Sequence, residues 1–303
     1  MPGGIDVHQH LWPAAFTDAL RGRGETPYLR GWTLYTEHEP PYDVDPAAHE
    51  IAKRLARETD DQTRLAGVAL SSPLGIEALP DTGLLDAWHS GAAEFPEPYG
   101  AWASVHVNEP DLAGLERLLR QDFLGIQLPA DVLGSPDGWI RLGTVLELAE
   151  QQDRPVFVHP GPVASTGERP GWWAPVVDYT AQMQAAWWAW HALDGRSLFP
   201  RLRILFAAAA GLAPVHHERL VARGGRFGTI DPNLFVDVSG YGPQAVDAIV
   251  RVLGIDQVVH GSDRPYADVP NLRQGDAADM AIRRINPYRL LFGSGEPSRP
   301  EGR

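Results

Sequence analysis

Eight short apolar runs, each followed by a longer amphipathic stretch, recur along the chain, and this alternation constrains the fold more than any other feature. The expected strands are Gly4–His8, Leu65–Leu70, Gly100–Val107, Leu124–Leu128, Pro155–His159, Arg203–Ala207, Asn233–Val238 and Gln257–His260. Helical patterns fall between them at Leu112–Arg120, Leu142–Gln152, Trp173–Leu193, Pro214–Arg223, Gln244–Leu253 and Ala277–Ile285. Eight strand-then-helix units without repeated sequence fit an α/β protein of the parallel (β/α)8 TIM-barrel type, with the 303 residues forming one domain. A doubly wound open sheet produces the same alternation, but no glycine-rich fingerprint follows the first strand, which favours the barrel. Residues 17–60, rich in Arg, Pro, Tyr and Glu, read as an insertion after strand one that caps the barrel mouth, and 295–303 as a frayed tail.

Composition narrows the function classes. With 26 basic against 39 acidic side chains the formal charge is −13, the wrong sign for a phosphate-tracking surface, so nucleic acid is not an expected partner. No 18-residue apolar run is free of charge or proline, which argues against a membrane span. The absence of cysteine excludes thiolate zinc sites and cysteine nucleophiles. Lys53 is the only lysine, and it lies in the charged helical stretch IAKRLARE, a setting unlike that of a Schiff base or a P-loop. A strand starts almost at the first residue with no basic and apolar leader, so a cytoplasmic location is expected.

The first strand ends IDVHQH, and on an extended backbone His8 and His10, two residues apart, point to the same side. The fifth expected strand closes on His159 in RPVFVHPG, and the eighth is followed by Asp263 after a Gly-Ser turn in VVHGSDRP. All four therefore fall at the C-terminal rim, where barrel enzymes build their sites. Three neutral imidazoles and one carboxylate suffice to hold one divalent metal ion, with Zn2+ or Mn2+ matching nitrogen and oxygen ligation.

With IDVHQH, FLGIQLPAD, PVFVHPGP, NLFVDVSG and VVHGSDRPYA in this order, the chain resembles the amidohydrolase superfamily, in particular its mononuclear-metal branch of hydrolases and aromatic-acid decarboxylases. The resemblance implies that His8, His10, His159 and Asp263 are the metal ligands and that Asp263 also moves a proton. It further implies that Gln127 stands where two-metal members carry a carboxylated lysine, so a single metal is expected. On the sixth strand the family turn usually presents a histidine, and RILFAAAAGLAP places Ala208 there, as part of what reads as an apolar strand end.

His106, near the end of the third strand, is the expected stand-in for that histidine as a catalytic group, with Asn108 on the same face contacting substrate. His260, His216 and His217 are not expected at the site. Of the ten tryptophans, Trp12 and Trp32 are pocket candidates, while Trp187, Trp188 and Trp190 read as packing between helices and against a second subunit of a homodimer. Arg169 and Arg264 are the candidate binders of a substrate carboxylate. The leading expectation is hydrolysis of an ester, lactone or amide of a small molecule by metal-activated water. Decarboxylation of an aromatic acid and a catalytically silent ligand-binding barrel are the alternatives.

Overall fold

A computed structural model describes residues 3–293 apart from 38, 122, 165–168 and 268–271, so the expected tail at 295–303 lies outside the described residues. The first strand, β1 (Gly4–Gln9), leads into helix α1 (Ala14–Gly22). A small antiparallel sheet follows, made of β2 (Tyr28–Arg30), β3 (Thr33–Tyr35) and β4 (Tyr42–Asp43). Helix α2 (Ile51–Asp60) then feeds the second barrel strand, β5 (Thr63–Val68). Within residues 17–60 the non-barrel material is therefore the three-stranded sheet and its flanking loops. The two ends of that stretch belong to helices: Phe16 and Leu20 hold α1 on the core, while α2 rests Leu55 against it and buries the charged Arg54 and Glu58.

The third barrel strand is split into β6 (Tyr99–Ala101) and β7 (Ala103–Ser104), and β8 (Ile126–Pro129), β9 (Val156–His159), β10 (Ile204–Phe206), β11 (Leu234–Asp237) and β12 (Val258–Val259) complete the set. Every pairing among them is parallel, and the strand segments follow one another in sequence order through each sheet. Backbone bonds close the barrel between its last and first strands, with Val7 N donating to His260 O (2.9 Å) and Ser262 N to His8 O (3.1 Å). The eight-stranded (β/α)8 architecture is thus the one the alternation predicts.

The split in the third strand has a packing cause. Trp102, fully buried, occupies the break and donates its indole N–H to Val7 O (3.0 Å) across the barrel. Its ring lies 5.1 Å from Phe157, which in turn lies 4.9 Å from His8. Gly67 and Gly125 give this ring room, since a Cβ at Gly67 would sit 2.7 Å from Val7 O and one at Gly125 2.2 Å from Pro155 O and 2.8 Å from the Trp102 ring. The floor beneath the histidines is therefore aromatic and buried.

Of the outer helices, α3 (Gly83–Ala92) packs on α1, and α4 (Leu112–Arg120) begins at Asp111, whose carboxylate accepts from Gly114 N (2.9 Å). Helices α5 (Pro136–Arg141) and α6 (Gly143–Gln151) follow β8, and the long α7 (Tyr179–Ala192) follows β9. Trp187 and Trp190 of α7 are buried within the chain, against Phe206 (5.1 Å) and Trp139 (5.0 Å), which withdraws them from any subunit contact. No helix of the described residues is long and apolar enough to cross a membrane.

The strand-six end differs from the expected apolar strand. β10 stops at Phe206, and Ala208, Ala209, Ala210, Gly211 and Leu212 all have φ between 48° and 65°, a left-handed turn. The run of alanines ends a strand only in the sense that it turns away from it.

Two predictions follow from this packing. Trp102→Ala removes the ring that fills the barrel floor and should lower stability by about 3–5 kcal/mol, read as a fall in the urea midpoint. His49, sandwiched between Trp12 (4.8 Å) and Trp32 (6.4 Å), accepts from Trp12 N and is pushed down to about 3 by burial, helped by Arg54. The native state therefore binds fewer protons here than the unfolded chain, so stability should fall as pH drops from about 6.5 towards 3. His49→Asn, whose amide oxygen can accept the same bond, should flatten that slope in thermal melts.

Candidate metal centre

His8 and His10 lie at the end of β1, His159 ends β9, and Asp263 follows the last strand. One ligand atom from each of the four lies within 4.8 Å of all the others. The imidazoles are buried, with ring centroids 4.9–5.1 Å apart. Asp263 has φ 56°, a conformation that aspartate adopts more readily than most residues, and its Oδ1 stands 3.1 Å from His10 Nε2 and 3.4 Å from His8 Nε2.

Each ring is held from behind through Nδ1. His8 Nδ1 donates to Asp237 Oδ2 (2.8 Å), His10 Nδ1 to Ala69 O (3.0 Å) and His159 Nδ1 to Pro160 O (2.9 Å). With the protons on Nδ1, the Nε2 lone pairs of His8 and His10 face one another 3.2 Å apart with no proton between them. A cation at the common centre removes that repulsion, so the donor set fits one divalent ion.

Electrostatics favour the neutral form at two of the three rings and the charged form at His8. Burial, reinforced by His8 and His10, holds His159 well below its ordinary value. Burial also lowers His10 despite the neighbouring Asp263. Burial opposes charge on His8 too, but the Asp237 carboxylate outweighs it and holds this imidazole above the usual range.

Asp237 was not singled out from the sequence. It is fully buried, and its second oxygen accepts from Ala208 N (2.8 Å), Ser239 N (3.1 Å) and Ser239 Oγ (2.6 Å), so one carboxylate joins His8 to the ends of β10 and β11. The only sequence signal was a carboxylate closing a strand in LFVDVSG.

The four residues sit at the inner end of a cavity of about 1430 Å³. Trp12 contributes to its wall, with its indole donating to Ser71 Oγ (3.1 Å), and Arg169 reaches its rim, bound to Asp178 (3.0 and 3.3 Å) and lying over Trp173 (5.3 Å). Ala208 lines the wall on the strand-six side. Residues of the small sheet and its loops, among them Leu34 and Tyr42, line the mouth, and Tyr179 of α7 donates to Glu39 Oε1 (2.5 Å) across it. Tyr179 and Tyr266, whose ring is 5.2 Å from His10, are cavity residues that sequence reasoning missed: Tyr179 starts a helix without a motif, and Tyr266, though within VVHGSDRPYA, was overlooked beside Asp263 and Arg264.

The other expected site residues are placed elsewhere. Trp32 packs on the core, stacked parallel to His49 with the Arg21 guanidinium on it (4.8 Å), and does not line the cavity. Arg264 turns away from the cavity to Glu58 of α2 (3.9 Å) and to Asp61 just past its end (2.5 Å). His106 spends both ring nitrogens on the backbone, Nε2 on Leu79 O (2.8 Å) and Nδ1 on Glu109 N (2.9 Å), which makes it a loop latch rather than a catalytic group. Asn108 is exposed two residues on, away from the cavity. Gln127 bonds both Leu70 N (2.9 Å) and Leu70 O (2.7 Å) and has no amide atom to offer a second metal.

A closed parallel barrel with three histidines and one aspartate converging at its C-terminal rim defines a class of barrel proteins with a candidate metal centre. The amidohydrolase family model matches residues 5–287, and the chain belongs to that family. No protein of curated function matches the sequence. Among solved structures, the chain is similar to Metarhizium anisopliae IDCase in apo form, with a TM-score of 0.77, 17% identity, and 96% of this chain and 97% of that one covered. It is similar to 5-carboxyvanillate decarboxylase from Sphingomonas paucimobilis, with a TM-score of 0.71 and 15% identity over 96% and 99% of the two chains. It also resembles the D314N mutant of the Novosphingobium aromaticivorans 5-carboxyvanillate decarboxylase, solved with bound manganese and 3-methoxy-4-hydroxy-5-nitrobenzoic acid, with a TM-score of 0.62 and 17% identity over 79% and 80%.

Asp237→Ala should weaken binding of Mn2+ or Zn2+ by about 10–100-fold in calorimetric titration of the folded apoprotein. The same change should lower the His8 pKa in NMR titration, because it removes the carboxylate that stabilises the imidazolium.

Proposed function

We propose that this chain is a metal-dependent decarboxylase of an aromatic acid. The observation that carries the reading is the placement of Asp263, alone among the carboxylates that line the aromatic-walled cavity, against two of the converging histidines, with Ala208 on the strand-six wall. Hydrolysis, the leading expectation from sequence, asks for a base to take the proton of water and an acid to give one to the leaving group. With Ala208 at strand six and His106 turned to the backbone, Asp263 would have to do both. Decarboxylation asks for one proton, delivered once. The similarity to decarboxylases supports the same choice, as the manganese in one of them supports a divalent ion.

A divalent ion, Zn2+ or Mn2+, held by His8, His10, His159 and Asp263 would neutralise the oxygens of the bound acid. Trp12 and Tyr266 border the space beside the histidines and give a flat ring a surface to pack on. Asp263, 29% exposed to the cavity, delivers a proton to the ring carbon that bears the carboxylate. The carbon–carbon bond then breaks, its electron pair returns to the ring, CO2 leaves, and Asp263 recovers a proton from solvent.

Protein reconstituted with Mn2+ or Zn2+ should release CO2 from 2,6-dihydroxybenzoate or 5-carboxyvanillate, and Asp263→Asn should reduce kcat by about 10²–10⁴-fold while the protein stays folded. Ala208→His should leave CO2 release no faster. Ester or lactone hydrolysis without CO2, accelerated by Ala208→His, would overturn this reading in favour of the hydrolase.

A further inference from the structure

Behind the metal centre, on the side of β1 away from the cavity, three buried polar residues form a continuous chain. Arg54 of α2, 4% exposed, donates from Nη1 to His10 O (2.8 Å) and Ala48 O (3.0 Å), and from Nη2 to Gln9 Oε1. Gln9 Nε2 donates to Asp6 Oδ2 (2.8 Å). Asp6 Oδ1 accepts from His8 N (3.2 Å) and Ser262 N (3.0 Å), the residue before Asp263. The chain of bonds thus touches the backbone at, or next to, three of the four ligands.

The same helix holds the seam a second time. Arg264, the residue after Asp263, pairs with Glu58 of α2 and with Asp61 at its C-terminal cap, while its carbonyl accepts from His10 N (2.6 Å). Helix α2 therefore grips β1 and the segment after β12 at the point where the barrel closes. A buried guanidinium is an expensive way to fill space, because an apolar side chain of similar volume avoids its desolvation. What the guanidinium adds is direction: its hydrogen bonds reach carbonyl and amide groups whose placement sets where His8 and His10 point.

We propose that Arg54, acting through Gln9 and Asp6, is a positioning residue of the metal centre, holding the β1 and Asp263 ligands in register from outside the cavity. The inference rests on the metal reading given above and concerns residues that touch neither metal nor substrate.

Co2+ titration of the folded apoprotein, followed by visible absorption, tests it. Arg54→Met should weaken Co2+ binding by about 10–100-fold and shift the ligand-field bands, with a cooperative thermal melt retained. Arg54→Lys, which keeps one donor, should recover part of the affinity. Lys53→Met, an exposed neighbour on the same helix, should match the wild type. If Arg54→Met does not fold, Gln9→Met carries the test, because it cuts the link to Asp6 and leaves the Arg54 bonds to His10 O and Ala48 O in place. Wild-type affinity and spectrum in these folded variants would overturn the proposal. Failure of the wild-type protein itself to take up Co2+ would instead overturn the metal reading on which it rests.

Discussion

Three imidazoles, each anchored through Nδ1 to an acceptor behind it, aim their remaining nitrogens at one point, and the rest of the rim is arranged around this arrangement. Without a cation, unshared electron pairs are held close together in a buried place. The fold tolerates this because the anchors are strong and numerous: Asp237 alone accepts four further or shared bonds from three chain segments. A site that is unfavourable when empty and favourable when filled is what preorganisation for a metal ion means in energetic terms.

The left-handed turn after β10 belongs to the same logic. Positive φ at Ala208, Ala209, Ala210 and Leu212 costs roughly 1–2 kcal/mol per non-glycine residue, and the turn persists because other contacts determine it. Ala208 N is fixed by Asp237, and Gln184 Nε2 donates to Gly211 O (3.0 Å). A Cβ at Gly211 would lie 2.2 Å from Thr180 O, so glycine is required where the turn meets α7. Helix α7, with Tyr179 at its start, is thereby tied to the carboxylate that orients His8.

The barrel and the convergence of His8, His10, His159 and Asp263 at its rim were legible in the sequence because both depend on local periodicity. Eight apolar runs give eight strands, a two-residue spacing puts His8 and His10 on one side, and a strand end marks the rim. Partner choice is not local. Arg264 adjoins Asp263 yet projects to the acidic face of α2, and His106 meets carbonyl and amide groups that its own neighbourhood in sequence only half reveals. Trp32 reads as a pocket residue from its position in a loop-rich stretch, but the sheet in which it sits folds it onto His49. Tyr179, Tyr266 and Asp237 enter the site through tertiary contacts that spacing alone does not encode.

These placements also explain why the chemistry reads differently in three dimensions than along the chain. A sequence with an apolar residue at the strand-six position invites a search for a substitute imidazole, and His106 is the nearest candidate on paper. Once both of its nitrogens are seen to be engaged with the backbone, no second imidazole outside the ligand set faces the cavity among the described residues. Among the carboxylates that line the cavity, Asp263 is the one set against the histidines, and this placement supports the proposed reaction with its one proton transfer over one needing two. Ala208 adds an apolar group to the cavity wall on the strand-six side, a surface suited to a ring rather than to an attacking water.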